Sequence, residues 1–429
     1  MTGGVIVHSG RWTRDDRAAG LWPRLPFEVP AGCAGVTVSL SFDPGGGAVL
    51  DLGCEGAAGW RGWSGGARRT FTITPDAATP GYLPGEPEPG LWHVVLGLHR
   101  VPPAGVAYRV RIELGPAEVP PLPPPPSVLS ASSARQPGGG WVDGPPRRDL
   151  PAEPGMRWLA CDFHAHTVHS DGGLTVPQLA ARAVARGLDV LAVTDHNTVS
   201  HHAELPAASR RYGVHLLPGQ EVTTDTGHAN AFGPLPWVDF RQDAAAWRIA
   251  VEYGDGLFSI NHPLAADCGW LRPLPAASLG APTLAEVWHW SWLDRRWNGP
   301  IAWWRAAGRH LLPIGGSDFH HPGAGCEVGT PLTWVAVPAD AMAGAGSTAS
   351  TAAVLAGLRA GRTAVSHGMA GPVLLRLGDR LVACDADGAL LLGPDGSRRP
   401  VRSARAELPA GAGGHVLMDP DGTVLALCG

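Results

Sequence analysis

The sequence predicts an α/β protein: a closed or nearly closed α/β barrel in the middle of the chain, an antiparallel β-sandwich or jelly roll before it and a small β region after it. Three observations carry this reading. Segments of period two, broken by Gly and Pro clusters, fill residues 30–115. After Met156 short apolar runs alternate with helical stretches. Of the 18 histidines, 14 fall between Met156 and Met369.

In chain order, VTVSLSF, RTFTIT, WHVVLGL and YRVRIEL alternate apolar and polar positions between turns, which is the pattern of half-buried antiparallel strands. Residues 1–115 are therefore assigned to the β-sandwich. The stretch PAEVPPLPPPPSVLSASSARQPGGG lacks amide donors at its prolines and apolar mass elsewhere, so 116–155 is read as a Pro/Gly-rich linker. RWLACDF, LDVLAVTD, VHLLPG, GLFSINHP and RHLLPIGGSD are the barrel strands of 156–369. VPQLAARAVARG is one of the helices between them, with Pro177 in its first turn. Alternating strands and helices imply parallel pairing. From 370 to 429 the turns DGAL, PDGS and DPDG return the chain to β character.

The chain has 429 residues, enough for two or three domains at roughly 100 to 200 residues each. Hydrophobic residues make up 44% and charged residues 17%, a globular balance. A net charge of -5 argues against stable nucleic-acid binding. No apolar run is long enough to span a membrane. All 33 basic residues are arginine, which excludes a Schiff-base lysine, a Walker lysine and a carboxylated-lysine metal bridge. Seven scattered cysteines without CxxC spacing, and a start without the apolar core of a secretion signal, point to the cytoplasm.

The chemistry gathers just past the ends of the apolar runs. His164 and His166 follow RWLACDF, Asp195 and His196 follow LAVT, Glu221 follows HLLPGQ, His262 follows LFSIN, and Asp318 and His320 follow LLPIGGS. Groups at the carboxyl ends of separate parallel strands converge on one mouth of a barrel. Imidazole with carboxylate suits zinc, manganese or iron. His-x-His on a strand puts both rings on one face, so His164 and His166 can reach the same ion. The donors outnumber what one ion takes, so two or three ions with bridging carboxylates are expected.

CDFHAHTVHSDGG, AVTDHN, GQEVTT, GHANAFG, INHP and GGSDFH, in that order, resemble the PHP family of metal-dependent phosphoesterases over residues 156–369. With the β domain that contains GWRGWSGGARRTFTITP, the layout resembles the CehA/McbA-type metallohydrolases. The resemblance implies a distorted (βα)7 barrel and hydrolysis at a two- or three-metal centre. It places His164, His166, Glu221 and Asp318 at one ion. Glu221 bridges to a second ion held by His228 and His262, and Asp171, His196 and His320 hold a third. His228 falls in the glycine-bounded segment TDTGHAN, read as a loop. The amidohydrolase superfamily also opens on His-x-His, but its common binuclear form needs the lysine that this chain lacks.

Ions of this kind turn a shared water into a hydroxide nucleophile near neutral pH. Without lysine, arginine or histidine must neutralise the remaining charge of a phosphate ester. His169, His201, His202 and His321 lie beside the ligand motifs and are the candidates for that task or for protonating the leaving group. Asp162 and Asp195 are expected to orient ligands by accepting imidazole N–H groups. The tryptophan-rich segment EVWHWSWLDRRWNGPIAWWRAAG reads first as packed core and second as an aromatic wall beside the substrate, with Asn298 as a helix cap. Trp60, Trp63 and Trp92 read as structural before a carbohydrate-stacking platform.

The function expected is a multinuclear metal-dependent hydrolase, a phosphoesterase acting on a small soluble phosphate ester, in a chain capable of homo-oligomer formation. The alternatives are a carbamate or carboxylic aryl-ester hydrolase of the CehA/McbA type and a non-catalytic binding protein with a structural metal site.

Overall fold

A computed structural model describes residues 4–121, 148–275, 280–308, 311–342 and 350–429. Most of the linker expected at 116–155 lies outside the described residues. The chain divides into two compact units. The first comprises Met1–Pro125 with Thr167–Gly172 and Asp195–His201, and the second holds Pro126–His166, Gly173–Thr194 and His202–Gly429.

In the first unit two four-stranded antiparallel sheets form the expected sandwich. One runs Gly4–Trp12, Val106–Leu114, Val36–Phe42, Thr70–Ile73; the other runs Arg24–Val29, Gly90–Arg100, Val49–Gly56, Gly59–Gly65. Alternation decides which face turns inward: in Arg24–Val29, Leu25, Phe27 and Val29 are buried while the residues between them are exposed. Trp92 and Trp63 are both buried, with Arg61 over the Trp92 ring, so they belong to the packing of the sandwich and form no open platform.

The second unit is built on a 13-stranded sheet. Its ladder runs Leu311–Gly316, Thr283–His289, Leu257–Ile260, Gly227–Phe232, His215–Thr224, Val190–Val193, Met156–Asp162, Leu332–Pro338, Thr363–Ser366, Val424–Cys428 and three further C-terminal strands. Met156–Asp162, Val190–Val193 and His215–Thr224 pair in parallel, as do Leu257–Ile260, Thr283–His289 and Leu311–Gly316. Val190–Val193 and Leu257–Ile260 are buried at every position, as strands covered on both faces must be.

The expected parallel pattern breaks at Gly227–Phe232, which is antiparallel to both neighbours. Only Asp225 and Thr226 separate it from His215–Thr224, too short a link for a crossover, so the chain turns back as a hairpin. His228 therefore sits on a strand, opposite Thr223, and not in a loop. A closed (βα)7 barrel does not appear as a continuous backbone ladder. Thr333 Oγ1 instead accepts from Gly315 N at 2.8 Å and lies 3.1 Å from Gly315 O, linking Leu332–Pro338 to Leu311–Gly316 through a side chain.

The helix expected over VPQLAARAVARG spans Val176–Ala185, opened by a capping box between Thr175 and Gln178. It buries Val176, Leu179, Ala180 and Ala183. Helix Gly299–Ala307 begins after Asn298 as expected, but the Asn298 side chain makes no cap hydrogen bond. Val373–Leu377, Arg380–Cys384 and Arg405–Pro409 form a separate small sheet. Among the described residues no helix is long and apolar enough to cross a membrane.

Candidate metal centre

In the second unit the strand ends bring His164, His166, Glu221 and Asp318 together, with one ligand atom of each within 4.8 Å of the others. His164 Nε2 lies 3.3 Å from Glu221 Oε2 and 3.1 Å from Asp318 Oδ1. His166 Nε2 lies 3.4 Å and 3.0 Å from the same two oxygens. Two donors each about 2.1 Å from a tetrahedral ion stand about 3.4 Å apart, so these separations are those of one coordination shell.

Glu221 is divided between two such groups. Its Oε2 faces His164 and His166, while its Oε1 lies 3.1 Å from His228 Nδ1 and 3.3 Å from His262 Nε2. Asn261 Nδ2 also donates to Oε1 at 2.9 Å. His228 and His262 form a further donor group with Cys268. His320 stacks on His166 with ring centroids 4.2 Å apart.

The protonation pattern asks for a cation. His164 Nδ1 lies 2.7 Å from Glu286 Oε1, and an ionised carboxylate only accepts, so Nδ1 carries the proton. The neutral ring then turns the Nε2 lone pair toward two carboxylate oxygens, and this buried nitrogen has no hydrogen-bond partner. Positive charge must therefore sit between that nitrogen and the oxygens, either a second proton on the ring or a metal ion. Burial works against a charged imidazole at His164, yet Glu286, Asp318 and Glu221 outweigh it and hold its pKa well above the ordinary range. Burial would raise the Asp318 carboxyl, but the surrounding imidazoles pull it well below the usual carboxylate range. The donor set, imidazole with carboxylate, fits a divalent cation.

Backbone strain marks the same positions. His262 and Asp318 adopt φ of 27° and 46°, a region that non-glycine residues rarely enter. Glu286 helps to hold the first of these by accepting from His262 N at 2.9 Å. Glu286 thus touches both metal groups, and nothing in LAEVWHW distinguishes it from a strand residue of the core.

The remaining site residues are distributed as follows. Of the residues expected at the third ion, Asp171 and His196 belong to the first unit and lie 3.6 Å apart, while His320 belongs to the second. His169 and His201 are buried in the first unit, with His169 Nδ1 2.8 Å from Ser200 Oγ. His201 Nδ1 lies 3.1 Å from Asp195 Oδ2, so Asp195 meets an imidazole, but not that of an expected ligand. Asp162 does not: it accepts the backbone amides of His164, Ser317 and Gly329 and braces the strand ends instead. His202, in the second unit, is tied through Nε2 to the Gly219 carbonyl at 2.9 Å, and His321 is exposed.

The first unit also holds its two loops from the sandwich side. The Arg68 guanidinium donates to the carbonyls of Ser170, at 2.9 Å, and of Val168. Gly81 N donates to Ser200 Oγ at 3.1 Å, and Thr198 Oγ1 donates to Gly81 O at 2.8 Å. Gly81 has φ of 101°, and a Cβ there would meet Trp63 O at 2.6 Å and His169 O at 2.8 Å, so the approach requires glycine.

Residues 162–259 match the PHP domain. The chain carries a PHP domain. Within it lie His164, His166, Asp171, His196, Glu221 and His228, while His262, Asp318 and His320 follow it. A 5'-3' exoribonuclease of Haemophilus influenzae is 39% identical over 64 residues, covering 15% of this chain and 23% of that protein. A 3',5'-nucleoside bisphosphate phosphatase of Chromobacterium violaceum is 42% identical over 66 residues, again 15% and 23%. The chain thus spans about a quarter of the length of the curated relatives it matches. Among solved structures, a two-domain Bacteroides vulgatus protein containing a predicted PHP-like metal-dependent phosphoesterase is 18% identical, with 66% of this chain and 98% of that one covered and a TM-score of 0.39. An amidohydrolase from Chromobacterium violaceum is 20% identical over 39% of this chain and 89% of its own, at a TM-score of 0.31.

Proposed function

We propose that the protein is a multinuclear metal-dependent hydrolase, a phosphoesterase acting on a small soluble phosphate ester. The observation that carries the reading is the Glu221 carboxylate, shared between the His164/His166 pair and the His228/His262 pair. A buried carboxylate so placed is the bridge that a two-ion site needs. The PHP domain and the phosphatase among its relatives bring phosphate esters forward as the substrate class.

Bound at this centre, divalent ions supply a water acidic enough to ionise near neutral pH and neutralise charge on the ester oxygens. The chain's own part is to hold and orient. Asp318 Oδ1 and Glu221 Oε2 close one donor set, His228 and His262 with Glu221 Oε1 form the other, and Glu286 fixes the His164 proton on the outer nitrogen. The same proposal takes the cytoplasm as the compartment, which seven unpaired cysteines suit, and leaves room for a homo-oligomer.

A second reading, a carbamate or carboxylic aryl-ester hydrolase of the CehA/McbA type, is favoured by one feature. The cleft that borders His262 is walled by Leu264, Trp292, Trp297 and Trp303, surfaces that suit a flat apolar group better than a second charge. Trp288, in contrast, is buried against Trp292 and belongs to the core.

Assays of the manganese-supplemented protein on nitrophenyl phosphate, a nitrophenyl phosphodiester and a nitrophenyl carboxylate decide between them. Turnover of the phosphates, lost roughly a hundredfold or more in Glu221→Gln, is the expected result. Turnover of the carboxylate alone promotes the second reading, and a metal-loaded protein inert to all three defeats both.

A further inference from the structure

His289 is a buried donor that metal ligation leaves unused. It closes strand Thr283–His289, three residues after Glu286, and is 7% exposed. The Ser291 amide donates to its Nδ1 at 3.4 Å, and the Ser291 hydroxyl lies 2.8 Å from the same nitrogen. A ring nitrogen that accepts an amide N–H has no proton of its own, so in the neutral ring the proton sits on Nε2. That Nε2 is buried without a hydrogen-bond partner, and Asp318 Oδ2 stands 3.4 Å away from it.

The ring is also aimed at the centre. Its centroid lies 5.0 Å from that of His262 and 6.4 Å from that of His164. It shares a wall with the cleft beside His262 that Trp292 and Trp297 line. A buried donor whose nearest acceptor, Asp318 Oδ2, is too poorly placed for a hydrogen bond is poorly satisfied, and a site that keeps one there is prepared for an acceptor that arrives with the ligand.

We propose that His289 contacts the substrate, its Nε2–H donating to an oxygen of the ester on the Asp318 side of the centre. The inference rests on the hydrolase reading above. A protonated Nε2 cannot at the same time ligate an ion, so His289 adds no donor to the metal groups. It supplies instead part of the charge stabilisation that lysine would provide in a chain that had one.

The test is calorimetric titration of inorganic phosphate into the full-length, manganese-loaded protein, alongside elemental analysis. His289→Phe is expected to weaken phosphate about tenfold, the effect of losing one hydrogen bond to a charged group, with metal equivalents unchanged. His289→Gln, whose amide can still donate, is expected to keep most of the affinity. Unchanged affinity in His289→Phe overturns the inference, as does the loss of a metal equivalent, which would make the residue a ligand. Failure of phosphate to bind the parent protein sinks the phosphoesterase reading and this inference with it. An unaltered variant of a parent that does bind sinks the inference alone.

Discussion

An imidazole can offer a lone pair to a cation only if its proton is kept on the other nitrogen, and Glu286 does this for His164. The same carboxylate, through its second oxygen, holds the strained backbone at His262. Away from the centre, His215 shows what burial does to an imidazole with no carboxylate beside it. Burial pushes its pKa down to about 4, so the folded state keeps it neutral while the unfolded chain titrates near 6.5. The unfolded state then binds more protons between these values. The resulting stability, up to about 3 kcal/mol, is present above pH 6.5 and is lost as pH falls toward 4. Urea unfolding of His215→Gln should show a flatter acid limb than the parent between pH 6.5 and 4; identical slopes would contradict it. Sequence reading singled out His164, His166, Glu221, His262 and Asp318, because each follows an apolar run. It passed over Glu286 and His289, because in LAEVWHW both sit inside such a run and look like strand residues.

At the scale of elements, short connections decide geometry. The two-residue link that makes Gly227–Phe232 a hairpin partner of His215–Thr224 is what carries His228 back to Glu221. Gly227 and the preceding TDT hinted at a turn, but the apolar ANAF that follows was too short to declare its direction. The hold of the sandwich on Thr167–Gly172 was not legible at all, since it joins residues about 100 positions apart. Arg68 makes two hydrogen bonds to that loop's carbonyls, and no neighbour in ARRTFT signals it. Arg68→Met should free the loop while sparing the sandwich core. Hydrogen exchange of the amides of 167–172 is expected to accelerate about tenfold or more, from the loss of one to two bonds of the charged kind. Equal exchange in parent and variant would show that the guanidinium holds nothing.

At the scale of the molecule, apolar periodicity foretold a sandwich and an α/β unit, because both follow from which faces must be buried. The closed or nearly closed barrel expected by the same logic does not appear as a continuous backbone ladder. Thr333 and Gly315, 18 residues apart, instead join Leu332–Pro338 to Leu311–Gly316 through a side chain, which no local pattern encodes. Nor did periodicity show that Val424–Cys428 would pair with Thr363–Ser366 and extend the same sheet. The proposed function rests on the acidic groups and imidazoles that this sheet gathers. Purified protein, dialysed against chelator and reloaded, should therefore hold two or three equivalents of zinc, manganese or iron per chain by elemental analysis. Glu221→Gln should lose more than one of them and His262→Ala only one. A parent chain that retains no metal, or a Glu221→Gln variant that retains it all, would contradict the shared carboxylate on which the account stands.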